Sequence, residues 1–160
     1  MISLRSAEPA DTPRILRFIR ALGEYERLQS EVVATEAALL ATLFGERRYA
    51  EVVLADYDGA PAGFALYFHN YSTFLGRPGL YLEDLFVDPG YRKHGIGRAL
   101  LQHLARTAAE RGCGRLEWSA LKWNRLAIDF YLQLGAVPMD EWCIYRLSGA
   151  ALQQLAAGSG

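Results

Sequence analysis

The chain has 160 residues, a net charge of −1, 51% hydrophobic and 22% charged residues, which is room for one ordinary globular domain with a sizeable core. That balance excludes the basic footprint of a dedicated nucleic-acid binder. No apolar run is long enough to span a bilayer, and Met1-Ile-Ser-Leu-Arg5 lacks the layout of a signal peptide. Cys113 and Cys143 show no metal spacing and His69, His94 and His103 are scattered, so no metal site is expected, and a reduced, cytoplasmic setting is the plain reading.

In chain order, Ile2 to Ser6 reads as a short strand. Asp11 is a candidate helix cap with Pro13 in the first turn, and Ile15, Leu16, Phe18, Ile19 and Leu22 form an apolar stripe toward Leu28. Gly23 interrupts that stripe and is a place for the helix to loosen or end. Glu24-Tyr25-Glu26-Arg27 reads, on composition, as a solvated helix end. Thr35 can cap a second helix carrying Leu39, Leu40, Leu43 and Phe44 and stopping at Gly45. Residues 49–57 and 60–69 are strand-like and joined by Asp58-Gly59, a strong hairpin signal. Tyr71 to Gly79, with two glycines and Pro78, is expected to be a loop. After the central segment, Gly112-Cys113-Gly114 ends a long helix and Arg115 to Ala120 reads as a strand. Asn124 opens a short helix closed by Gly135. Trp142 to Leu147 is expected to be a final strand, with Ser148 capping a tail helix. No repeat, low-complexity block or linker appears, so residues 1–160 are read as one α/β domain.

The chain is organised around residues 80–104. Tyr81 to Val87 is rich in aromatic and branched apolar residues, as a buried strand is. Asp88-Pro89-Gly90 breaks it, and from Ile96 the apolar residues change to a helical period. Between them lies Arg92-Lys93-His94-Gly95-Ile96-Gly97, followed by Arg98. The first N–H groups of a helix lack intrahelical partners and carry the positive end of its dipole. Two glycines let a phosphate approach, and three cations surround it. The segment therefore reads as an anion cradle, best suited to a pyrophosphate. It is no triphosphate P-loop, because no Gly-Lys-Ser/Thr follows, and a spaced glycine is missing for a dinucleotide fingerprint. An ordinary tight strand-to-helix connection is the plain alternative.

The whole pattern says more than the loop. Strand, Arg92-x-x-Gly95-x-Gly97, long helix, strand, then Asn124-x-x-Ala127-x-x-Phe130-Tyr131 and Gly135-Ala136 resemble the GNAT N-acetyltransferase superfamily. Tyr81-Leu-Glu-Asp-Leu-Phe-Val87, Tyr91-Arg92, Gly95-Ile-Gly97, Trp123-Asn124, Tyr25-Glu26 and Thr35-Glu36 are similar to its spermidine/spermine and thialysine acetyltransferase branch. The resemblance implies a mixed sheet flanked by helices and splayed between the fourth and fifth strands. It implies acetyl transfer from acetyl-CoA to a primary amine by direct attack in a ternary complex. It places the pantetheine arm on the backbone of Leu85, Phe86 and Val87. The pyrophosphate falls on Arg92, Lys93, His94, Gly95, Ile96, Gly97 and Arg98, with Asn124 and Ala127 also in the cofactor set. It implies a homodimer, for which Trp142, Ile144 and Tyr145 could serve the interface or simply the core.

The residue types suit that chemistry. An alkylamine has a pKa of roughly 10, so it must lose a proton before attacking the thioester. Glu83 and Asp84 lie on the strand beside the implied acyl site, and neighbouring strand residues face opposite sides. The resemblance favours Glu83 as the amine-binding, proton-removing carboxylate; a surface acid pair is the alternative. The leaving thiolate benefits from an acid, and Tyr131 stands at the family's position, although helical spacing alone reads it as a core aromatic beside Phe130. Tyr25, Glu26 and Trp123 fall at the branch's acceptor positions, where an acid and a ring suit a distal ammonium. Lys122 departs from the acid found there in polyamine-acetylating members. A cation repels a long polycation and shifts weight toward smaller amines. Two other readings stay open: a protein lysine or N-terminal acetyltransferase using a groove framed by Tyr71–Gly79, and a non-catalytic acyl-CoA-binding module.

Overall fold

A computed structural model describes residues 1–158, which fall into two compact units, Met1–Leu121 and Lys122–Gly160. The first unit is built on a five-stranded sheet in the order β1 (Ile2–Ser6), β2 (Glu51–Tyr57), β3 (Ala60–Ser72), β4 (Arg77–Val87), β5 (Leu116–Trp118). Neighbours are antiparallel except β4 and β5, which run parallel. Parallel strands need a crossover, and here it is the helix α3 (Ile96–Glu110), α1 being Thr12–Tyr25 and α2 Glu36–Leu43.

The sheet is covered on both faces. Ile15, Phe18 and Leu22 of α1 and Leu43 of α2 join Val52, Leu54, Phe64 and Phe86 in one buried core. The intervening Val53 and Ala55 are just as buried. Strand alternation sends them to the other face, where α3 packs with Ile96, Leu100, Leu101, Leu104 and Ala108.

Most sequence expectations hold locally. Thr35 caps α2 by accepting a bond from the Ala38 N–H at 3.1 Å. Asp58 (φ 50°) and Gly59 (φ 81°) form the two-residue turn between β2 and β3, with the paired positive φ values that a I′ turn requires. Asp11 sits at the cap position of α1 but does not cap it. Its carboxylate instead takes a forked pair from Arg5 and the Glu8 N–H, which pushes its pKa down to about 2. Gly23 neither loosens nor ends α1, which runs on to Tyr25; a Cβ there would come within 2.6 Å of a Val32 methyl, so the glycine serves a close approach.

Three expectations are corrected. Tyr71–Gly79 is not a loop: β3 and β4 stay paired to Ser72↔Arg77, with Tyr71↔Pro78 and Asn70↔Gly79, leaving only residues 73–76 as a turn. Pro78 is tolerated in the strand because its carbonyl still pairs, accepting the Gly114 N–H at 2.9 Å. Arg115–Ala120 forms a strand only over Leu116–Trp118, the length of its ladder with β4. Trp142–Leu147 forms no strand. The second unit contains the helices α4 (Arg125–Gln133) and α5 (Gly149–Ala156), and among its described residues no second strand offers an edge to pair with. No described helix is long and apolar enough to cross a membrane.

At Gly63, opposite Val87 in the register, an added Cβ would overlap the Phe86 carbonyl oxygen. Gly63→Ala is therefore expected to destabilise the protein by roughly 1–3 kcal/mol, the usual cost of overpacking. Urea unfolding checks this, with a lower midpoint at unchanged slope.

Candidate active site

β4 divides the first unit's chemistry. Up to Leu82 it is paired on both sides: Leu80↔Leu116, Tyr81↔Glu117 and Leu82↔Trp118 on one, β3 on the other. From Glu83 to Val87 it is paired only to β3. Tyr81 Oη and Ser119 Oγ, 2.8 Å apart, tie the two strands together where the ladder stops. The edge at Leu85, Phe86 and Val87 thus offers backbone groups to something other than β5, as the resemblance implies.

Glu83 and Asp84 lie at a fault in the β3–β4 ladder. Leu66 pairs with Asp84 but Tyr67 pairs with Leu82, so Glu83 is the extra residue of a bulge. Bulges re-aim side chains and recur beside active sites. Here Glu83 is exposed while Asp84 is half-buried. Burial first, then the charges of Glu83 and Glu26, push the Asp84 carboxyl up to about 6. Burial also raises Glu26, just past the end of α1. The fold therefore gathers Glu26, Glu83 and Asp84, all expected acceptor-site residues, and the burial falls on Asp84 rather than Glu83.

The basic loop begins at the end of β4. The Asp88 carboxylate accepts the Gly90 N–H at 2.9 Å, closing a turn over Pro89–Tyr91. Lys93 (φ 68°) and Gly95 (φ 83°) are both left-handed, and Gly95 is the cap of α3. The first helical bond runs from the Ala99 N–H to the Gly95 carbonyl, so the N–H groups of Ile96, Gly97 and Arg98 precede the intrahelical ladder. Arg92, Lys93, His94 and Arg98 are exposed around this start, and a Cβ at Gly95 would meet open space. The residues present fit a diphosphate-bearing cofactor: an anion-ready helix start, surrounding cations and a free strand edge. Two aromatic contacts steady the loop. Tyr57 lies 4.5 Å from the His94 ring, and the Arg92 guanidinium lies 4.6 Å from the centre of the Tyr25 ring while its Nε donates to the Val87 carbonyl at 3.2 Å.

Trp123, Asn124, Ala127 and Tyr131 belong to the second unit. Asn124 caps α4, its Oδ1 accepting the Ala127 N–H at 3.4 Å, and Gly135 (φ 91°) follows the helix end. Tyr131 is half-buried, 5.8 Å from the Phe130 ring, and Trp123 is exposed. Sequence reasoning missed the bulge, the Tyr81–Ser119 tie and the Tyr25–Arg92 stack. Each depends on strand register or on residues distant in sequence, so no local signal marks it.

Residues 16–136 match the Acetyltransferase (GNAT) family. The chain belongs to that family. It is 39% identical to a thialysine N-epsilon-acetyltransferase of Bos taurus, over 97% of each chain. It is 33% identical to an L-ornithine N5-acetyltransferase of Arabidopsis thaliana, over 95% of this chain and 86% of that one. Among solved structures, an integron cassette protein from the mobile metagenome of V. cholerae superposes with a TM-score of 0.82 at 28% identity, over 97% of each chain. The fold is thus that of a GNAT acetyltransferase, a family that uses acetyl-CoA as donor, and the expected mixed, splayed sheet flanked by helices is borne out.

Asp84 also carries a stability signature. Its pKa rises from 3.8 to about 6 on folding, so the folded state is favoured when the group is protonated. That contribution is fully present below the unfolded value and is lost as pH rises through about 6. Asp84→Asn is expected to be more stable than the native protein at pH 8, by at most about 3 kcal/mol, with the gap closing by pH 4. Urea unfolding across that range measures it.

Proposed function

We propose that this GNAT enzyme transfers the acetyl group of acetyl-CoA to a primary amine of a small, doubly charged acceptor, a lysine analogue such as thialysine or a short diamine. The observation that carries the reading is the half-buried Asp84 beside the freed edge of β4, with Glu26 and Glu83 as its charged neighbours. A group that costs stability in its own fold is a functional candidate. Three acids in one place suit an acceptor with more than one ammonium. The names of the Bos taurus and Arabidopsis thaliana relatives point the same way.

Bound acetyl-CoA supplies an activated acetyl group. Leu85, Phe86 and Val87 offer backbone to its pantetheine arm. Arg92, Lys93, His94, Gly95, Ile96, Gly97 and Arg98 offer the anion cradle, and Asn124 and Ala127 join the cofactor set by resemblance. Glu26 and Asp84 hold the acceptor's charge, with Trp123 assigned to the same acceptor set by resemblance. Glu83, exposed on the bulge, takes the proton from the attacking ammonium, through water. Tyr131, at the family's acid position, gives a proton to the departing thiolate. Both units belong to one catalytic domain in this reading, and the protein works as a cytoplasmic homodimer without metal, nucleic acid or membrane as partner. Trp142, Ile144 and Tyr145, exposed within their own unit, suit such an interface.

The peptide-acetylating alternative loses its framing loop, since Tyr71–Gly79 is largely hairpin. The deciding experiment measures CoA-thiol release over putrescine, spermidine, spermine, lysine, thialysine and a lysine-containing peptide. Saturable turnover is expected with a small lysine analogue or diamine; turnover confined to the peptide, or none with CoA bound tightly, overturns the reading. Tyr131→Phe is expected to keep CoA affinity while turnover falls roughly a hundredfold or more, the scale of general-acid help. Glu26→Gln is expected to raise the acceptor KM about tenfold with a smaller change in kcat, the scale of one charged hydrogen bond.

A further inference from the structure

We infer that Tyr25 is a positioning residue for the cofactor loop, acting through Arg92, rather than an acceptor-binding residue. The inference rests on the reading that the Arg92–Arg98 loop holds the CoA pyrophosphate. Three observations carry it. Tyr25 is the last residue of α1 and half-buried, so its ring is held by a helix whose other turns are anchored in the core. The Arg92 guanidinium lies 4.6 Å from the ring centre, within cation–π range. The same guanidinium donates through Nε to the Val87 carbonyl at 3.2 Å, at the end of the strand edge that β5 leaves free.

Arg92 is otherwise an exposed side chain with many rotamers, and ordering such a side chain on an anion costs entropy at the moment of binding. The ring and the carbonyl restrict it beforehand. The Val87 bond uses one guanidinium donor of five, and a cation–π contact uses none, so N–H groups remain for a phosphate oxygen. Tyr57 stands in a similar relation to His94 two residues further on, within ring-stacking distance at 4.5 Å, so two tyrosines from different elements brace the same loop. The tyrosine's aromatic face, not its hydroxyl, does the positioning.

The test is a binding measurement that needs no turnover: titration calorimetry of CoA into the native protein, Tyr25→Phe, Tyr25→Ala, Arg92→Ala and the Tyr25→Ala/Arg92→Ala double variant, with acceptor KM measured alongside. Tyr25→Ala is expected to weaken CoA roughly two- to fivefold, the range of an exposed cation–π contact, and Tyr25→Phe to restore it. In the double variant the loss is expected to equal that of Arg92→Ala alone, the signature of an effect on CoA carried through that side chain. If Tyr25→Ala leaves CoA affinity unchanged while Arg92→Ala weakens it, the positioning role is overturned and the cofactor-loop reading stands. If Arg92→Ala itself leaves CoA affinity unchanged, the loop reading falls and this inference with it. Losses that add in the double variant, or a Tyr25→Phe variant no better than Tyr25→Ala, also overturn it.

Discussion

A β-strand in a sheet interior needs partners on both edges, and β4 has two partners for only part of its length. The ladder to β5 ends at Leu82↔Trp118, while the ladder to β3 continues to Val87. Backbone N–H and C=O groups beyond that point keep their capacity to bond. The crossover helix α3 starts shortly after β4 ends, and its own first N–H groups are also uncommitted within the helix. One topological fact therefore places a free strand edge and an anion-ready helix start side by side. Within the first unit, Glu83 and Asp84 follow directly on the strand edge so freed.

The bulge at Glu83 adds a second consequence. A regular ladder would alternate Glu83 and Asp84 across the sheet; the extra residue instead leaves Glu83 exposed and Asp84 half-buried, near Glu26. Burying a carboxyl beside two others disfavours its charged form, and no local packing gain from an aspartate offsets that. An aliphatic residue would fill such a position at less cost. A cationic acceptor reverses the sign: the charges that repel one another in the empty protein all attract an ammonium. The same arrangement that weakens the fold would suit the proposed acceptor, an amine of more than one positive charge.

The basic loop before α3 shows how a short, glycine-containing segment is kept from being floppy. Lys93 and Gly95 turn the chain with left-handed residues, Asp88 closes the preceding turn, and Tyr57 and Tyr25 meet His94 and Arg92 from elements far away in sequence. Preorganisation of this kind lowers the ordering cost of binding rather than adding contact area. Tyr25 and Glu26 adjoin in sequence, yet the Tyr25 ring meets Arg92 of the loop while the Glu26 charge acts on Asp84.

Much was legible from local signals because they are local physics. Asp58-Gly59 demanded a tight turn, Thr35 a helix start and the period change at Ile96 a strand-to-helix switch; all three hold, and the glycines and arginines read as an anion cradle lie at the start of that helix. Motif spacing also carried the family, since Arg92-x-x-Gly95-x-Gly97 followed by Asn124 and Tyr131 is a pattern of residue types and distances along the chain. Where glycine and proline signals were read as loop, at Tyr71–Gly79, the hairpin overrode them: Tyr71, Ser72, Arg77, Pro78 and Gly79 kept ladder partners, and Gly79 and Pro78 sit where close approach or a carbonyl contact suits them. Where apolar alternation was read as strand, at Trp142–Leu147, no partner edge exists within that unit, and alternation without a partner makes no strand. Sequence by itself thus determined turns, caps, helix periods and the residue types of the chemistry. Register alone decided which of Glu83 and Asp84 is buried, where β4 loses β5, and that Tyr25 faces Arg92, because those depend on pairings between residues distant along the chain.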